Sequence, residues 1–90
     1  MARLDVKKGD RFVQQGDARW PMFIEVTRVA RAGSWCDIRC YTWAVMWTKR
    51  LPEGINGPMA DPASTFYLAR RDWTMADVEA SEPDGPLLVG

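Results

Sequence analysis

The chain predicts a mainly β domain: a small five-stranded antiparallel barrel with one short C-terminal helix. Three observations predict it. Short runs rich in β-branched and aromatic residues recur at close spacing. Clusters of Gly, Pro, Asp and Ser punctuate them as turns. Residues 35–41 alternate strictly, so that Cys36, Ile38 and Cys40 share one face. The 90 residues suit one domain. Residues 1–80 are read as the barrel with its helix, and residues 81–90 as a hinge and an apolar arm.

The first strand is Arg11-Phe12-Val13-Gln14, entered through Lys7-Lys8-Gly9-Asp10 and left through Gln15-Gly16-Asp17. Glycine tolerates positive φ, and aspartate bonds its own backbone in such turns. The second strand covers Phe23 to Ala30, with Pro21 just before it, where a missing N–H is tolerated. Ile24 and Val26 share a face, but Val29 falls three residues later. A bulge near Thr27–Arg28 would return Val29 to the core side.

Arg31-Ala32-Gly33-Ser34 reads as a tight hairpin connection with Gly33 in the left-handed position. In the third strand, residues 35–41, the compact apolar set Cys36, Ile38 and Cys40 must face the core. Trp35, Asp37, Arg39, Tyr41 and Trp43 then point the other way. A helix is ruled out here, because the apolar residues do not recur at spacings of three and four.

A fourth strand is expected over Val45 to Arg50, after a turn near Thr42–Ala44 that has neither Gly nor Pro. Leu51 to Ser64 reads as a loop of the length that tends to be functional or mobile. The last strand is placed at Thr65 to Arg71. Thr74-Met75-Ala76-Asp77 forms a capping box with Asp in the place of Glu or Gln. Met75 and Val78 give its helix one apolar stripe, and Glu82-Pro83 ends it beyond Ala80. Pro86-Leu87-Leu88-Val89 is an apolar arm that either packs as a strand or loop on its own barrel or adds a strand to a second subunit.

Composition excludes several function classes. The longest apolar run, Trp43 to Trp47, is too short to cross a membrane. The first ten residues hold no apolar segment of a secretory leader, so a cytoplasmic protein is expected. Histidine is absent, which removes the commonest general base and metal ligand. Cys36 and Cys40, four apart on a strand, lie too far from each other to bridge. They read as reduced, buried thiols. No phosphate-binding glycine motif occurs. Neither a catalytic set, a metal site nor a cofactor is expected, and the chain reads as a non-enzyme.

Charge is balanced overall but not along the chain. Residues 1–50 carry ten Lys/Arg against five Asp/Glu, and residues 51–90 carry two against seven. A basic working half with an acidic tail fits this split, as does a tail lying on its own basic half.

The Lys8-Gly9-Asp10-Arg11-Phe12-Val13 opening, Ile24-Glu25-Val26, the Gly33 turn and Ile38 together resemble the SH3-like small barrels, including the KOW type. The likeness spans about the first half of the chain. It implies a five-stranded barrel that binds through aromatic side chains between its loops, with Trp20, Tyr41, Trp43 and Trp73 as candidates here. KOW motifs carry more glycine between the first two strands, where this chain has Trp20-Pro21. The run Trp47-Thr48-Lys49-Arg50-Leu51-Pro52 resembles small proteins of actinobacteria and their phages, which implies a phage-encoded origin and the host cytoplasm.

The candidate binding residues are Trp35, Arg39, Tyr41, Trp43, Lys49 and Arg50; the other reading of this outward face is burial beneath the helix, the long loop or the apolar tail. Aromatics interleaved with cations suit a protein interface, where aromatic and arginine side chains carry much of the energy. They also suit stacked bases, with Lys49 and Arg50 on phosphates. A protein partner is the first expectation and nucleic acid the second. The third is a homo-oligomer joined through residues 86–89. No membrane partner is expected.

Overall fold

A computed structural model describes residues 3–14 and 21–82. The strands among the described residues are β1 (Arg3–Leu4), β2 (Arg11–Gln14), β3 (Met22–Val29), β4 (Cys36–Tyr41), β5 (Met46–Leu51), β6 (Ile55–Asn56) and β7 (Leu68–Arg70); the helix α1 (Met75–Ala80) follows. Five of the strands form one antiparallel sheet in the order β5-β4-β3-β2-β7, and β1 pairs with β6 as a separate ribbon. The main sheet is therefore the expected five-stranded antiparallel one, with its short helix. Its ladder is open, running from edge β5 to edge β7, and a closed barrel is not shown by it.

The sheet buries apolar side chains on both faces. On the inner face Phe12, Ile24, Val26, Cys36, Ile38, Cys40, Leu51, Ile55 and Leu68 form the main cluster, with Leu4 and Met59 packed over it. On the outer face Val13, Phe23, Trp73 and Val78 form a second, smaller cluster, with Tyr41 against it. The alternation of β4 decides this division: its three inward residues are buried and its three outward ones half-buried.

The bulge in β3 lies where the spacing of Val26 and Val29 requires it. Val26 pairs with Ile38, but Arg28 pairs with Asp37, so Thr27 is the extra residue. Its Oγ1 donates to the Asp37 carbonyl at 3.2 Å. The slip returns Val29 to the inner face, opposite Cys36. Gly33 closes the next turn at φ +74°, with its N–H on the Ala30 carbonyl at 2.8 Å. Gly9 has φ +95°, and the Asp10 carboxylate accepts from Lys7 N–H at 2.8 Å. In the β4–β5 turn a threonine does the work expected of glycine or proline. Thr42 Oγ1 accepts from the N–H groups of Ala44 and Val45 at 3.3 and 3.2 Å.

Two expectations are corrected. The stretch 51–64 is not a plain loop: it contains β6 and a short 3-10 turn, Gly57–Ala60. Ile55 is fully buried there, so apolar burial of a single residue, invisible to periodicity, orders the segment. The last strand is Leu68–Arg70, shorter than the expected Thr65 to Arg71. Asp61 Oδ1 accepts from Ala63 N–H, and Ser64 Oγ accepts from Phe66 N–H. Such local bonds hold the backbone in turns and delay the ladder.

The capping box of α1 forms as expected, with Asp77 Oδ2 accepting from Thr74 N–H at 2.7 Å. Val78 is buried, but Met75 is not its core partner, being 49% exposed. Both cysteines are buried. Burial pushes the Cys40 thiol up, only partly offset by Lys49, which keeps it protonated and unreactive. Among the described residues no helix is long and apolar enough to cross a membrane. The expected turn at Gln15-Gly16-Asp17, the residue Trp20 and the arm Pro86–Val89 lie outside the described residues.

Candidate docking surface

The strand registers sort the outer face into three cross-strand rows. The first is Ala69, Val13, Phe23, Tyr41 and Met46, the second Arg11, Glu25, Arg39 and Thr48, and the third Arg28, Asp37 and Arg50. Apolar residues fill one end, and charges of alternating sign fill the middle and the far end.

At the far end Trp35 is clasped by arginine. The guanidinium of Arg50 lies 4.0 Å from its ring centroid and that of Arg28 lies 5.8 Å away. Arg50 is fixed by Asp37 through two bonds, Nε to Oδ1 at 2.6 Å and Nη2 to Oδ2 at 2.9 Å. That bidentate pairing holds the Asp37 carboxyl below its ordinary value and raises Arg50. Opposite charges directly across a ladder favour this arrangement.

At the near end α1 and the segment before it cover the sheet. Trp73 is 1% exposed. Its indole N–H donates to the Ile24 carbonyl at 3.1 Å. Phe23 and Tyr41 meet its ring edge-on, at 5.6 and 5.3 Å. Arg11 lies over it at 4.9 Å and donates to its carbonyl at 2.7 Å. Arg39, between the two ends, donates from Nη1 to the Tyr41 hydroxyl at 3.5 Å. Its Nε is buried without a hydrogen-bond partner among the described residues.

The six expected binding residues therefore do not form one patch. Trp35 and Arg50 meet at one end, Tyr41 and Trp43 at the other, and Arg39 lies between. Lys49 pairs with Ile38 in the ladder and so belongs to the inner face. It borders a recess there with Trp47, Met22 and Met59. Adjacent residues of a strand point to opposite faces, so the Lys49 and Arg50 side chains leave β5 on different sides of the sheet, although both residues border a shallow concavity at this edge with Thr27, Asp37 and Thr48. Trp73 is not part of a surface aromatic cluster but a core residue.

The structure adds residues that the sequence reading left out. Between the β4–β5 hairpin and α1 lies a cleft of about 330 Å³, bordered by Tyr41, Trp43, Val45, Met46, Met75 and Val78. Four of its side chains are well exposed: Trp43 39%, Val45 57%, Met46 54% and Met75 49%. Of these, Val45 and Met46 were signalled by the run Val45-Met46-Trp47, which is apolar on both faces of a strand. Comparison of the chain with protein-family models, with curated proteins and with solved structures finds no match.

Proposed function

We propose that this protein is a non-enzymatic, cytoplasmic interaction module that takes an apolar segment of a protein partner into the cleft between the β4–β5 hairpin and α1. One observation carries the reading: Trp43, Val45, Met46 and Met75 stand exposed around one concavity. A contiguous apolar patch on a soluble domain marks an interaction site. Trp43 is the natural anchor, because large aromatics are the energetic centres of interfaces. We also read the sheet as an SH3-like barrel, on the strength of its β2-β3-β4-β5 meander and the return of β7 beside β2.

Peptides selected by display against the whole chain provide the test, with backbone amide shifts mapping where they bind. Shifts are expected at residues 41–46 and 75–79. Trp43→Ala should weaken binding by more than about 2 kcal/mol with the amide spectrum otherwise retained. Peptides that bind only at Trp35 and Arg50, or bind Trp43→Ala equally well, would remove the cleft from the account.

Nucleic acid is the weaker reading. Glu25 and Asp37 sit between the arginines of the outer rows, and Arg50 already lies over the Trp35 ring where a base would stack. A steep fall of DNA or RNA affinity with salt would favour it instead.

A further inference from the structure

Which main-chain groups of β5 face outward follows from two hydrogen bonds. Thr42 N–H donates to the Val45 carbonyl at 2.8 Å, and Ala30 N–H to the Trp35 carbonyl at 2.9 Å. Along β4 the even residues thus turn their backbone groups to β5 and the odd residues to β3. Trp47, Lys49 and Leu51, opposite even residues of β4, turn theirs inward. Met46, Thr48 and Arg50 are left with N–H and C=O groups directed away from the sheet, and no other segment among the described residues bonds them.

An edge of this kind is a template for pairing, and proteins commonly blunt it with shortness, proline, charged side chains or a cover; of these β5 carries only the charges of Lys49 and Arg50, the latter already paired with Asp37. The opposite edge, β7, is only three residues long, and its Arg70 is tied to Asp10 at 3.1 Å. β5 has six residues, no proline, and five successive exposed positions.

We propose that β5 pairs antiparallel with β5 of a second copy of this chain, about a two-fold axis through Thr48. Continuity of the faces requires inner residues to meet inner residues, which allows only registers centred on one residue. Centring on Thr48 sets Thr48 against Thr48 and Met46 against Arg50. All the outward-facing main-chain groups of the strand are then used, each such pair exchanging two bonds. On the inner face Trp47 meets Lys49 of the second copy, an ammonium against an indole. On the outer face the aliphatic stem of Arg50 covers Met46. Centring on Lys49 would put like charges directly opposite. Centring on Trp47 leaves Arg50 beyond the other copy's strand and its backbone groups unused.

Symmetry makes the partner the same surface on both sides. Both copies would present the hairpin–helix cleft on the same side of one continuous sheet. The paired edge and the cleft share Met46, which Arg50 of the second copy would border at the rim of the cleft; pairing of the β5 edges itself does not require the cleft to be filled.

Sedimentation velocity of the whole chain over a concentration series reads the outcome. The expected mass rises toward twice the 10.2 kDa of one chain. Thr48→Pro should abolish the rise without changing the circular dichroism, because the Thr48 N–H serves no bond among the described residues. Thr48→Cys should crosslink across the axis under mild oxidation, since a hydrogen-bonded pair places Cα atoms about 5.5 Å apart. Lys49→Cys should not. This register readout does not depend on how Thr48→Pro folds. Deleting residues 85–90 should leave the mass unchanged. A monomer at every concentration overturns the proposal. So does crosslinking that is stronger at position 49 than at 48, or a dimer lost with residues 85–90.

Discussion

The two ends of the outer face use the same chemical pair, an arginine over a tryptophan, for opposite purposes. Over Trp73 the guanidinium of Arg11 sits on a ring that is otherwise sealed by Phe23, Tyr41 and Val78. Over Trp35 the guanidinium of Arg50 is itself the cover, and beyond it is water. Identical contacts therefore differ in worth, because burial of the ring's apolar surface carries the energy and the cation adds a smaller increment.

Breaking the buried end should produce the largest effect. Trp73→Ala removes the ring, its bond to Ile24 and the support for α1, and is expected to destabilise the fold by about 3–5 kcal/mol. Urea unfolding checks it. A loss below about 1 kcal/mol would mean that the outer cluster is not a second core. Asp77→Ala comes next. It leaves the sheet intact but removes the acceptor for Thr74 N–H and a carboxylate at the positive end of α1, for about 1 kcal/mol.

The exposed end sharpens the comparison at the smallest scale. Arg50→Ala should leave the melting temperature nearly unchanged, as expected of an exposed ion pair. Its effect belongs in the titration of Asp37. In the native chain the Arg50 bonds hold that carboxyl below its ordinary 3.8. A depressed folded pKa contributes stability that is present above the unfolded value and is lost as pH falls through the folded one. Carboxyl chemical shifts should show a native Asp37 midpoint below 3.8 and a higher midpoint in Arg50→Ala.

The contrast also explains what was legible in the sequence. Inward Cys36, Ile38 and Cys40 could be read directly, because alternation encodes which face each residue joins. So could the bulge, from the spacing of Val26 and Val29. Which outward side chains would be covered was not readable. Trp35, just before β4, and Tyr41, at its end, share the outward parity, and the arrival of Trp73 from a distant segment separates their fates. The partition of Lys49 from Arg50 was available from strand parity alone. β6 was hidden because a two-residue strand has no period to detect.

Thr27 invites a different kind of question. Take it out, and Val26, Arg28 and Val29 fall into unbroken in-out-in alternation against β4. The residue is thus redundant for deciding what is inside. Its contribution is curvature: two residues set against one bend and twist a strand. A chain shortened by that one threonine would keep every side chain on its present face, yet lay them on a flatter surface for the Leu4 and Ile55 ribbon to cap.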